Sequence, residues 1–117
     1  MSEKEIREFV DKFYKALDSG DAETASALFP DGTNIYLWDG TVFKTKEEFR
    51  KWFVELKSTS DNAKRKVTKL EVHGNTAHVE VVLKASVNGE EKVVKLKHIF
   101  LFEGDKLREV YVEIEPL

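Results

Sequence analysis

The sequence predicts an α+β fold in which three helices pack on one face of a strongly bent antiparallel sheet, in the order α-α-β-β-α-β-β-β-β. Three observations predict it. Residues 64–116 form four alternating apolar runs, KRKVTKLEVHG, TAHVEVVLKASV, EKVVKLKHIFLFE and KLREVYVEIEP, separated by GN, NG and GDK. Such links supply the positive φ that hairpin turns require. Two upstream stretches instead repeat apolar residues at three and four, the period of a helix face. A third, shorter stretch between them carries a cap and a Pro-Asp-Gly stop.

Ser2 with Glu5 makes a capping box. Ile6, Phe9, Val10, Phe13, Tyr14, Leu17 and Asp18 then share one helix face, closed by Ser19-Gly20. Tyr14 and Asp18 lie on this apolar stripe, one turn apart, and not on the charged back of Lys4, Glu8, Lys12 and Lys15. Asp21 caps a second helix, Ala22 to Phe29, and Pro30-Asp31-Gly32 ends it. Asn34 to Trp38 and Thr41 to Phe43 form a small hairpin about Asp39-Gly40. Thr45 with Glu48 opens a third helix bearing Phe49, Trp52, Phe53 and Leu56, and Ser58 to Asn62 form a polar loop.

The turns fix the register of the four long strands. A two-residue loop at Asn88-Gly89 sets Leu83 opposite Val94, Val81 opposite Leu96, Val79 opposite His98 and Ala77 opposite Phe100. Gly74-Asn75 pairs Val72 with Ala77 and Leu70 with Val79, and a β-bulge near Thr68-Lys69 is needed to bring Val67 inward. A three-residue loop at Gly104-Asp105-Lys106 sets Phe100 opposite Val110 and His98 opposite Val112. The concave face then carries Val67, Leu70, Val72, Ala77, Val79, Val81, Leu83, Ala85, Val94, Leu96, His98, Phe100, Phe102, Val110, Val112 and Ile114, with His98 in its middle. A bent sheet with helices across its hollow is a cone, and its wide end is either plugged or a pocket.

At 117 residues the chain, 1–117, reads as a single domain. Hydrophobic residues at 41% and charged ones at 35%, with a net charge of −3, make it globular and give no basic stripe for nucleic acid. The absence of cysteine excludes disulfides and thiolate chemistry. No apolar run approaches the roughly 20 residues of a membrane span, and MSEKEIREF has no signal-peptide pattern, so a cytoplasmic protein is expected. The three histidines do not converge; His73 and His78 point outward with Glu71 and Glu80, so neither a metal nor another cofactor is expected. Val82, Ile99, Leu101 and Tyr111 lie among charges on the outer sheet face, where two copies could pair, so monomer and homodimer both remain open.

The candidate pocket wall is Phe13 and Leu17 from the first helix, Trp38 from the hairpin, and Phe49, Trp52, Phe53 and Leu56 from the third helix. Ser60 follows, and the strands add Val81, Leu83, Val94, Leu96, Phe100, Val110 and Val112. The enclosed polar groups are Tyr14, Asp18, Arg65 and His98, with Trp38 and Ser60 as further candidates, and each needs a partner, since an unmet buried polar group costs on the order of 1–3 kcal/mol. Tyr14 with His98 is the natural neutral pair, and Asp18 with Arg65 the natural charged one. Both pairs also have a plain structural reading, as has a core role for Trp38, Trp52 and Phe53. Arg65 is expected opposite Ala85 and His98 opposite Val79, roughly 20 Å apart along the strand at 3.3 Å per residue.

The element order, with DSGDAETASALF and LWDG…F…EEFRKWF, resembles the NTF2-like (cystatin-like) cone. From MSEKEIREFV through FYKALDSGDAETASALF, NIYLWDG, EEFRKWF and KLEVHGNT to the C-terminus, the chain is similar to designed NTF2-like luciferases of the LuxSit type. Idealised loops, a full set of caps and the lack of cysteine are features of designed sequences. The resemblance implies two catalytic dyads, Tyr14–His98 and Asp18–Arg65, in a pocket for a coelenterazine-type luciferin, with O2 as co-substrate. The chain departs from that family at Ser60, where the family has an arginine, and along a bulkier fifth strand in which Leu96 fills volume. The resemblance and these departures imply two functions: an artificial luciferase, or a non-catalytic scaffold or binder for aromatic or steroid-like molecules.

Overall fold

The computed structural model describes residues 1–115, the side chain of Asp61 excepted; the last residue of the predicted final strand, Pro116, lies outside them. Helix α1 (Glu3–Ser19) and α2 (Ala22–Ser26) precede strands β1 (Asn34–Tyr36) and β2 (Val42–Phe43). Helix α3 (Lys46–Thr59) then leads into β3 (Ser60–His73), β4 (Thr76–Val87), β5 (Glu90–Glu103) and β6 (Lys106–Glu115). The caps act as the sequence indicates. Ser2 and Glu5 exchange side-chain and backbone hydrogen bonds, and Gly20 closes α1 at φ 74°. Helix α2 is shorter than predicted, giving way after Ser26 to a turn.

The six strands form one sheet in the order β2-β1-β6-β5-β4-β3. It is mixed and not wholly antiparallel, because β1 runs parallel to β6, with Ile35 opposite Val110. The β4–β5 register matches the predicted one at every inward pair, from Ala77–Phe100 to Leu83–Val94. The bulge expected near Thr68 is present between Val67 and Lys69, and a second, unpredicted one lies between Asp61 and Lys64, with Asn62 at φ 53°. An extra residue on one strand shortens its reach and increases twist, so both bulges bend β3 over the helices.

Three expectations need correction. Arg65 stands opposite Leu83, not Ala85, because the bulged residue is on β3 and draws Arg65 back along β4. The two polar positions are therefore four residues apart on β4, roughly 13 Å before bending. No polar loop spans Ser58 to Asn62: α3 continues to Thr59 and β3 begins at Ser60. The hydroxyls of Ser58, Thr59 and Ser60 donate back to the Glu55 and Leu56 carbonyls in the last turn of α3, so they are bonded to the helix and not free in a loop. Third, Gly104-Asp105 is a two-residue turn. The extra residue is absorbed as a bulge at Arg108, which leaves Phe100–Val110 and His98–Val112 as predicted and buries Leu107 against the core.

The core lies between the concave face and the helices, where Ile6, Val10, Val79, Val81, Phe100 and Val110 are completely buried. Val67 and Ile114, placed on that face by periodicity, are half-exposed near its margins. On the outer face Val82, Ile99, Leu101 and Tyr111 are partly covered, and Tyr36 stacks on Tyr111 at 4.7 Å. Among the described residues no helix is long and apolar enough to cross a membrane.

Candidate functional site

A cavity of about 220 Å³ lies between the helices and the curved sheet. Helix α1 contributes Phe13 and Leu17, and α3 contributes Phe49, Trp52, Phe53 and Leu56. The strands add Leu83, Val94, Leu96, Val110 and Val112, all predicted as wall. The helix stripe and strand alternation put these residues on facing surfaces, and the sheet's bend keeps those surfaces apart. Trp38 also lines the cavity, but at 51% exposure it stands at the mouth and is not core. Trp52 is half-buried between Phe43 and Phe49.

Three proposed wall residues do not line it. Val81 and Phe100 are sealed in the core behind it. Ser60 borders an adjoining polar depression with Asp18, Lys57 and Arg65, which shares Arg65 with the cavity, and its hydroxyl donates to the Leu56 carbonyl at 2.9 Å. Conversely, Phe29, Ile35, Leu37, Phe43 and Ile114 line the cavity without having been predicted there. Ile35 and Leu37 alternate with Tyr36, so a period of two in NIYL carried that signal.

Both polar pairs form. The Tyr14 hydroxyl lies 2.7 Å from Nδ1 of His98. Arg65 Nη1 donates to Asp18 Oδ1 at 2.9 Å, and the Arg65 backbone N–H donates to Asp18 Oδ2 at 3.1 Å. The Arg65 side chain is 8% exposed and that of Asp18 22%, so the pair is partly sheltered and not dry. His98 and Arg65 line the cavity, whereas Tyr14 stands behind His98 and Asp18 faces the outer depression. Each dyad therefore has an inner member on the cavity wall and a partner off it that fixes it, Tyr14 in the core and Asp18 at the outer depression. His73 and His78 lie on the outer sheet surface, where their rings meet at 6.0 Å and Glu71 accepts from His73.

Burial, and then the positive charge of Arg65, push the His98 pKa down to about 3. Burial also raises that of Tyr14, partly offset by Arg65. Unfolded histidine titrates near 6.5, so above that pH His98 is neutral in both states. As pH falls from about 6.5 towards 3, the unfolded chain binds a proton that the folded chain refuses. Stability should therefore decline by up to about 1.4 kcal/mol per pH unit in that window. Urea midpoints measured from pH 7 to 5 should show this slope, and His98→Gln should flatten it.

A three-helix α+β cone with an apolar cavity walled by its curved sheet defines the NTF2-like class. The chain belongs to the SnoaL-like domain family, whose profile matches residues 10–110. It is similar in structure to a protein from Shewanella denitrificans assigned as a SnoaL-like polyketide cyclase, with a TM-score of 0.84 and 11% identity over 97% of this chain and 92% of that one. An NTF2-like protein of unknown function from Cytophaga hutchinsonii aligns at TM-score 0.71 and 16% identity, covering 94% and 89%. A de novo designed protein with a curved β-sheet aligns at 0.74 and 22% identity, covering 99% and 89%. These likenesses establish the fold alone. No curated protein matches the sequence significantly.

Proposed function

We propose that this chain is a designed NTF2-like protein whose cavity takes a flat aromatic small molecule, and that it acts as a cofactor-free luciferase on a coelenterazine-type imidazopyrazinone. The observation that carries the reading is that the inner members of two separate polar dyads, His98 and Arg65, line one otherwise apolar cavity. Arg65 is a fixed cation beside the place where an anionic oxygen would develop, and a charge held in a water-poor site acts more strongly than one in solution. His98, oriented by Tyr14, offers a ring nitrogen to the heterocycle. Trp38 at the mouth and Trp52 in the wall provide faces for stacking.

In this reading the luciferin loses its ring N–H proton to water, and the resulting anion adds O2. The peroxide closes on the adjacent carbonyl to a dioxetanone, which expels CO2 and leaves an excited amide. One oxygen atom of O2 ends in the CO2 and the other in the amide. The apolar wall keeps water from the emitter.

A second reading, a non-catalytic binder of aromatic or steroid-like molecules, is favoured by Ser60, whose hydroxyl is committed to a helix carbonyl outside the cavity. Mixing the protein with a coelenterazine analogue in air separates the two. Emission well above that of free luciferin, lost in His98→Ala, is expected; emission no greater than with an unrelated protein leaves only the binder.

A further inference from the structure

Among the described residues lining the cavity, only four carry a polar side-chain atom: Trp38, Trp52, Arg65 and His98. An indole N–H and a guanidinium can only donate. The state of His98 follows from its partner. A 2.7 Å contact between the Tyr14 hydroxyl and Nδ1 holds one proton. Were that proton on Nδ1, the Tyr14 O–H would need an acceptor elsewhere, and the hydroxyl has no other partner among the described residues. With the proton on Tyr14, the phenol donates to a bare Nδ1 and both buried groups are satisfied. A neutral ring with a bare Nδ1 carries its hydrogen on Nε2.

Nε2 has no protein partner among the described residues, yet no described buried side-chain nitrogen or oxygen is sealed off unpaired. For a ring that is 5% exposed and lines the cavity, the opening available to Nε2 is the cavity itself. The depressed pKa of His98 and raised pKa of Tyr14 agree with a neutral imidazole beside a neutral phenol. Strands β4 and β5, and β5 and β6, are meanwhile paired in antiparallel ladders, which engages the carbonyls that point across the shared edges.

We infer that the cavity wall, among the described residues, offers hydrogen-bond donors and no acceptor side chain, and that it therefore selects flat ligands bearing acceptors, with His98 Nε2–H and the Arg65 guanidinium as its two fixed donors. This deepens the small-molecule reading above and rests on it. A ligand carbonyl, ring nitrogen or anionic oxygen would be met, whereas a ligand N–H or O–H would be buried without a partner. An imidazopyrazinone fits better after deprotonation, which removes a donor and creates an acceptor. It also means that His98 is not the base, since neither ring nitrogen is free to take the proton.

Three tricyclic probes of nearly one shape test this: fluorene, which has no polar atom, 9-fluorenone, which adds an acceptor, and carbazole, which adds a donor. Fluorenone should bind roughly tenfold tighter than fluorene, the factor expected of one well-met hydrogen bond, and carbazole no tighter than fluorene. Ring 15N shifts of the ligand-free protein should show a bare Nδ1 and a protonated Nε2 on His98. Carbazole binding as tightly as fluorenone, or a proton on Nδ1, would overturn the inference while fluorene binding still upheld the pocket. Failure of all three probes to bind would remove the pocket reading and the inference together.

Discussion

Phe100→Ala should destabilise the domain by about 4 kcal/mol, in the range for deleting a buried phenyl ring. Phe100 is completely buried and sits where the helix stripe meets the sheet. Its ring meets Phe13 edge-on at 5.1 Å, Phe9 at 6.3 Å and Tyr14 at 6.4 Å, and lies tilted against His98 at 6.0 Å. Alanine would leave a void behind the Tyr14–His98 pair, which neither rigid strand β5 nor α1 could close. Urea unfolding should show a lower midpoint with an unchanged slope. Phe100→Leu, which keeps most of the volume, should cost only about 1 kcal/mol. Equal losses in the two variants would show that the ring cluster is loosely packed.

Asp18→Ala should cost about 2–3 kcal/mol, less than a fully buried pair because the carboxylate retains some water contact. The loss comes chiefly from what remains, a sheltered Arg65 guanidinium and an Arg65 backbone N–H that both lose their acceptor. Replacing both partners, as in Asp18→Leu with Arg65→Leu, should recover much of that stability, since no charge is then stranded. Emission in air should fall in the single and the double variant alike, because each disturbs the cation on the cavity wall. Stability and light therefore separate in the double variant. A double variant less stable than Asp18→Ala would show that the pair contributes more than mutual neutralisation.

Much of the fold was legible because its turns are short. Asn88-Gly89 admits one pairing of β4 with β5, so Val79 had to meet His98, and the alternation of each strand then placed its inward residues. The dyads were legible for a related reason: Tyr14 and Asp18 break the apolar stripe of α1, and such a break needs a partner across the core. What escaped depended on events with no period. The bulge at Asn62 is a single left-handed residue in a polar stretch. The parallel β1–β6 pairing joins three residues to a strand more than seventy positions away, leaving no mark on local patterning. Ser60 enters the predicted pocket through the resemblance, which has an arginine over the pocket at that position. The continuation of α3 to Thr59 instead carries its side chain to the outer depression.

Both tryptophans of the chain, Trp38 and Trp52, line the cavity, so intrinsic fluorescence reports on that space directly. The measurement that tests the account most directly is an oxygen-free titration of this emission with a coelenterazine analogue. The account predicts saturable quenching at one ligand per chain, strongly weakened in Val94→Phe, which fills the cavity from the sheet side. Unchanged emission at saturating ligand, or the same quenching in Val94→Phe, would contradict it.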